Sequence, residues 1–226
     1  MTDQSGHDTQ NHTSGTTQDQ LSVLDATSHL LTASNFDLDM LLEEIVRLTV
    51  EKLRVKACAI RLLNEETEEM VLRAVNGLSP EYLDKGPVIA GKSAFREVID
   101  SGEVTEIFDM TQETIMQYPK EALAEGIRSL LVVGLMQDRR AIGALSVYTY
   151  HPHHFSVDEV RAFQTIANQA AGAIHLAKLH REQVRMKQIE QELAIAAHIQ
   201  SRMMPSRPPG IEGIDIAARN IPCGEV

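Results

Sequence analysis

Between Ser156 and Pro205 the chain contains no proline, and its single glycine there is Gly172. A start signal stands at the head of this stretch. Ser156-Val157-Asp158-Glu159 forms a capping box, and Phe155 and Val160 are spaced as a hydrophobic staple across it. The pattern predicts one helix from Val157 to about Met203, roughly 70 Å long at 1.5 Å per residue. No compact domain this small buries such a helix along its whole length. The first half, through Phe163, Ile166, Ala167, Ala170, Ala173 and Ile174, can lie against a sheet. The second half must find another partner. Leu179, Met186, Ile189, Leu193, Ala196 and Met203 fall on alternating three- and four-residue steps, interrupted by Glu182 and Gln200, which is a coiled-coil seam. An apolar stripe of that kind is unfavourable in water, so a parallel homodimer is expected along it, with a lone solvated helix as the alternative.

Upstream the pattern changes repeatedly. Residues 1–19 hold almost nothing apolar and are expected to be a disordered tail, with His7 and His12 solvated. Helical spacing begins at Leu21, Leu24 and Leu31. Asp37 is placed to cap a second helix running to about Leu53, with Phe36 stapled on Leu41 and Leu38, Leu41, Leu42, Ile45, Leu48 and Thr49 buried. A hairpin follows: Ala57 to Leu62 alternates, Asn64 to Thr67 turns, and Met70 to Val75 returns. Residues 79–127 mix short pieces. Ser79-Pro80 opens a helix, Ser93 to Ser101 is a helix closed by Gly102, Val104 to Phe108 is a strand, and Pro119 to Glu125 is a helix stopped by Gly126. Two continuously apolar strands come next, Ser129 to Met136 and Ile142 to Tyr148, joined through Gln137 to Arg140. Apolarity on both faces predicts that they are central.

Composition narrows the setting. Hydrophobic residues make up 43%, but there is no Trp and there are only five Phe and four Tyr, so the core must be aliphatic. A net charge of −11 argues against nucleic acid or an anionic membrane surface as partner. Cys58 sits inside a strand pattern and Cys223 lies far from it, which suits reduced thiols and a cytoplasmic location. No apolar run approaches the roughly 18 to 20 residues that span a bilayer, and the N-terminus lacks a signal-peptide pattern.

Three motifs carry a resemblance. Arg128-Ser129-Leu130-Leu131-Val132-Val133, then Ile142-Gly143-Ala144-Leu145-Ser146-Val147, then Phe155, Asp158-Glu159 and the Ala-rich Ile166 to Ala171 are similar to the GAF domain, over about residues 21–180. The resemblance implies an α+β fold: a central antiparallel sheet with helices on both sides, extended by a long C-terminal coiled-coil-like helix. It also implies a ligand pocket beneath the 79–127 excursion, for which Phe95, Asp109, Arg128 and Ser129 are the candidate lining. The GAF ligand itself is not legible. Cyclic-nucleotide binders of the family carry Asn-Lys ahead of the Phe and Asp-Glu, whereas His151-Pro152-His153-His154 stands here. Those histidines lack Cys or acidic ligands at metal-binding spacing and are expected to be solvated, so no metal site is assigned.

A second resemblance lies in the tail. Glu192 to Pro205, containing Ile199-Gln200-Ser201-Arg202-Met203-Met204-Pro205, followed by Ile216-Ala217-Ala218-Arg219, looks like the start of a SpoIIE-like phosphatase of the PPM (protein phosphatase 2C) superfamily. What this implies is a GAF sensory domain over 20–178, a signalling helix over 179–205, and the first part of a phosphatase domain over 206–226. The family's paired Mn²⁺ or Mg²⁺ ions and their carboxylate ligands would lie beyond residue 226, so no catalytic residue or cofactor is assigned within this chain. The partner implied is a phosphorylated protein, such as an anti-sigma-factor antagonist. Two other readings stay open. One is a GAF sensory fragment of a histidine kinase, with His198 ahead of Pro205, although Ile199 stands where an acidic residue is wanted. The other is a ligand-free GAF dimerisation module.

Overall fold

The computed structural model describes residues 37–112, 116–203 and 212–213. The expected tail over 1–19, the helix from Leu21, the Phe36 staple and nearly all of 206–226 lie outside the described residues. The chain divides into two compact units, meeting between His175 and Leu176.

In the first unit, helix α1 spans Leu38–Leu53. Asp37 caps it as expected, its side chain accepting from the amides of Asp39 and Met40, and its buried face holds every residue named from the spacing together with Val46. Strands β1 (Ala57–Asn64) and β2 (Glu69–Asn76) form the first hairpin. Its tip is an Asx turn in which the Asn64 side chain accepts from the Glu66 and Thr67 amides at 3.0 and 3.4 Å. The excursion then supplies α2 (Pro80–Leu83), a 3-10 turn at Ala90–Lys92, α3 (Phe95–Ser101), β3 (Thr105–Ile107) and α4 (Pro119–Ala124). Gly102 and Gly126 end α3 and α4 with φ of 76° and 78°, the left-handed conformation that glycine adopts without penalty. Strands β4 (Ser129–Gln137) and β5 (Arg140–Thr149) follow. Their connection is tighter than expected: Asp138 and Arg139 alone make the turn, both at positive φ (47° and 69°), as a two-residue hairpin with matched twist requires.

The five strands form one antiparallel sheet in the order β2-β1-β5-β4-β3. β1, β5 and β4 are interior, which explains why β4 and β5 are apolar on both faces. β1 and β5 approach closely at Gly143, where a Cβ would fall 2.2 Å from the Arg61 carbonyl, so no larger residue fits there. One face of the sheet carries Ala57, Ala59, Leu130, Val132, Ala144 and Tyr148 and packs under the excursion, against Tyr82, Val88, Phe95, Val98, Met110 and Ala122. The alternate residues Cys58, Ile60, Leu131, Val133, Leu145 and Val147 are buried on the other face, and α1 packs against β1 and β2. Helices therefore cover both sides.

The last helix, α5, spans Val157–Met203, 47 residues. Its capping box forms as the sequence predicts: the Ser156 amide donates to Glu159 Oε2 at 2.8 Å, and the Glu159 amide to Ser156 Oγ at 3.3 Å. Phe155 meets Phe163 edge to face, with centroids 6.1 Å apart. Up to His175 the helix buries Ala162, Phe163, Ile166, Ala167, Ala170, Ala171 and Ala173. In the second unit, Leu179, Met186, Ile189, Leu193 and Met203 are all exposed.

Candidate functional site

The face beneath the excursion is apolar except for a few polar groups. Arg61, on β1, is the most unusual. It lies on the same face of the strand as Ala57 and Ala59, is only 7% exposed, and donates from Nη1 to the Met70 carbonyl at 3.2 Å. The Tyr148 phenol also stands within its reach. Among the described residues no carboxylate pairs with it. Tyr148 and Ser146 project from β5 onto this face. Ser146 is fully buried and, among the described residues, its hydroxyl has no partner at hydrogen-bonding geometry, although the Tyr148 phenol is near it. Burial raises the pKa of both Tyr148 and Tyr82, which keeps the phenols neutral.

Lys85 stands at the rim. Its ammonium sits 3.5 Å from the Tyr82 ring centroid and donates to the Tyr82 carbonyl at 2.9 Å. Burial, reinforced by the charge of Arg61, lowers its pKa to about 8. The loop carrying it is tied down by Tyr118 and Gln117, which donate to the Pro87 carbonyl at 2.9 and 3.1 Å. A second tie holds α4 against the start of α2: buried Lys56 and Glu125 pair at 3.1 Å, and Glu125 accepts from the Ser79 amide at 3.0 Å. Burial works to raise the Glu125 pKa, but the Ser79 and Lys56 contacts outweigh it and hold the carboxyl below its ordinary value.

The residues expected to line a pocket sit in varied settings. Phe95 is buried in the core beneath the excursion. Asp109 is half-buried and accepts from the Thr111 amide and hydroxyl at 2.9 and 2.8 Å. Arg128 is half-buried, its backbone bonded to Met110 and Thr149. Ser129 is buried and clamps the 151–153 loop, donating toward the Phe108 and His151 carbonyls and accepting from the His153 amide at 2.7 Å. The histidines of that loop have partners: His153 meets Glu159 at 3.0 Å, and His154 meets Glu106 at 3.1 Å while stacking on Phe108. Among the described residues no group of three or more His, Cys, Asp or Glu could hold a metal ion. Two open grooves lie elsewhere. One, of about 490 Å³, runs between α1 and β2, and the other, of about 430 Å³, lies beside the hairpin tips at Glu65 and Arg140; neither is lined by the four residues above. Sequence reasoning missed Arg61 and Ser146. In a strand, an isolated polar side chain reads as solvent-facing, and only burial distinguishes these two.

A sheet of this order under an irregular helical cover defines a sensory or regulatory fold. The GAF domain profile matches residues 37–174, and the chain belongs to that family. Solved structures agree on the fold. The GAF domain of a phosphoenolpyruvate-protein phosphotransferase from Coxiella burnetii is 22% identical with a TM-score of 0.63, over 73% of this chain and 98% of that one. Its counterpart from Acinetobacter is 23% identical with a TM-score of 0.60, over 72% and 97%. A domain of a putative two-component sensor histidine kinase from Sinorhizobium meliloti is 22% identical with a TM-score of 0.57, over 67% and 99%. No curated protein matches the chain. The GAF family makes this a sensory or regulatory module, and no described helix is long and apolar enough to cross a membrane.

Proposed function

We propose that this chain is the sensor and transmitter portion of a GAF-regulated serine/threonine phosphatase of the PPM superfamily. The GAF domain receives a small-molecule signal, and the second half of α5 pairs with a second copy of the chain to carry it onward. The observation behind the transmitter role is the exposed stripe of Leu179, Met186, Ile189 and Leu193, repeating with a heptad rhythm on a helix that continues past the domain. The phosphatase assignment rests on the resemblance of residues 192–226 to that family. The substrate would be a phosphoserine or phosphothreonine protein of the anti-sigma-factor antagonist kind, with Mn²⁺ or Mg²⁺ held by residues outside this sequence. A bistable helix pair would be the switched element.

One experiment tests both parts. The double variant Ile189→Glu, Leu193→Glu is expected to sediment as a monomer where the unaltered chain is a dimer. In the full-length gene product, the same variant is expected to uncouple Mn²⁺-dependent phosphate release from the GAF domain. A variant that still sediments as a dimer would remove the seam. A full-length product with no phosphatase activity would remove the enzyme assignment and favour the kinase-associated reading, for which the Sinorhizobium meliloti domain is a fold relative.

A further inference from the structure

We propose that the polar centre beneath the excursion is a binding site for a small organic carboxylate, with Arg61 as its counter-charge and Ser146 and Tyr148 as its neutral hydrogen-bonding partners. This rests on reading the domain as a small-molecule sensor and specifies what that sensor takes. Two independent observations support it.

The first is charge. A guanidinium stays protonated in any protein environment, so its burial leaves a full cation in a medium that solvates it poorly. At 7% exposure Arg61 has a carbonyl and a phenol for company, and among the described residues no carboxylate within ion-pair distance. A purely structural role would be filled better by an apolar side chain. The planar fork of donors is suited to one chemical group above all, a carboxylate or phosphate bound two-pronged.

The second is the orphan hydroxyl. Ser146 Oγ is fully buried on the same face beside Tyr148, and among the described residues it has no partner at hydrogen-bonding geometry. An unmade hydrogen bond in the interior is costly, and buried polar groups are otherwise almost always satisfied. Ser146 pairs in register with Ala59, and its neighbour Ala144 with Arg61, so the hydroxyl and the guanidinium come from adjacent strands one step apart. Ala57, Ala59 and Ala144 are fully buried on this face and bring only methyl groups to it.

Carboxylate is favoured over phosphate by what is missing from the wall. A phosphate is commonly cradled by several free backbone amides at a helix N-terminus. The N-terminus of α2, the helix that carries Tyr82, is already occupied by its own Ser79 side chain, which accepts from the Tyr82 amide at 3.2 Å. Lys85 at the rim adds a second cation, placed to draw an anion inward rather than to hold its oxygens.

The test uses the whole 226-residue chain and thermal melting with sodium acetate, succinate and benzoate, each at about 20 mM and matched in ionic strength with chloride and with phosphate. At least one carboxylate is expected to raise the melting temperature by more than about 2 °C over chloride, with phosphate weaker. Arg61→Met is expected to melt at or above the unaltered chain without carboxylate and to lose the response. Ser146→Ala is expected to keep the fold and respond at least about threefold more weakly in titration. The Arg61 Nε–H nitrogen resonance is expected to shift on adding the active carboxylate. The inference is overturned if no carboxylate stabilises the chain, if phosphate or chloride does so equally (an adventitious ion only), or if Arg61→Met keeps the response. It is overturned equally if Arg61→Met fails to fold, since the cation would then be structural. Binding at Arg61 that leaves the coupling of the helix pair untouched would keep the site and sink the sensory reading instead.

Discussion

The two halves of α5 share one backbone conformation and differ in nearly everything else. From Val157 to His175 the helix hides a broad stripe, Phe163, Ile166, Ala167, Ala170 and Ala173, with alanines predominating so that it can pack closely. From Leu176 to Met203 the large apolar residues are exposed: Leu179 at 43%, Met186 at 57%, Leu193 at 47%, with Leu176, Val184, Ile195 and Ile199 exposed beside them. Propensity is alike along the whole length, since neither half contains proline. Burial of the large apolar side chains separates the half that completes a domain from the half that leaves them in water.

That contrast breaks most visibly under truncation of a large side chain in each half. Phe163→Ala removes a buried ring that meets Phe155 and should cost about 3 to 5 kcal/mol of domain stability, read from urea denaturation. Leu193→Ala removes an exposed side chain and should change the unfolding free energy of the domain by no more than about 0.5 kcal/mol, while weakening self-association in sedimentation. Equal costs at the two positions would mean that the far half is packed against the domain after all.

How much of this was legible in the sequence follows from the kind of signal each feature sends. The bounds of α1, the capping box at Ser156 and Glu159, and the 47-residue length of α5 rest on local chemistry between neighbours, and the sequence carries that directly. The interior position of β4 and β5 was readable for the same reason, as both faces are apolar. The site was not. Arg61 is polar in an alternating strand, which is also what a solvent-facing arginine looks like, and its burial depends on a cover built from residues 79–127 far along the chain. The histidine loop is exposed at His151 and His154, and what spacing alone does not show is that His153 and His154 also meet Glu159 and Glu106.

A smaller effect sharpens the comparison at the start of the near half. Ser156→Ala removes the cap and should destabilise the domain by about 1 kcal/mol. The same box is sensitive to acid. Burial works to raise the Glu159 pKa, but the Ser156 amide and hydroxyl and the neighbouring His153 outweigh it and lower the value. A carboxyl with a depressed folded pKa stabilises the fold above its unfolded pKa and loses that contribution as pH falls through the folded value. Thermal melts between neutral pH and pH 3 should therefore show a steeper acid loss for the unaltered chain than for Glu159→Gln. Leu193 carries no titratable group and is exposed, so Leu193→Ala should leave the acid limb unchanged.

The smallest effect tests where the two halves meet. Gly172 is exposed, sits in regular helix, and a Cβ added there would find no atom within 4 Å in the isolated chain. A glycine inside a helix costs about 0.5 to 1 kcal/mol relative to alanine, through the backbone freedom it surrenders. Gly172→Ala should thus raise the melting temperature by a degree or a few, with the domain otherwise unaltered. The position has a second meaning. It lies one heptad before Leu179, in phase with Met186 and Leu193, so a seam that continued into the domain would pass directly over it. If the pairing begins at Leu179, the alanine variant gains stability and its dimer dissociation constant stays the same. If pairing reaches back to residue 172, the new methyl meets the partner helix, and dimer affinity changes while the stability of the single domain still rises. Sedimentation equilibrium on the variant distinguishes the two and fixes where the packed half of the helix hands over to the paired half.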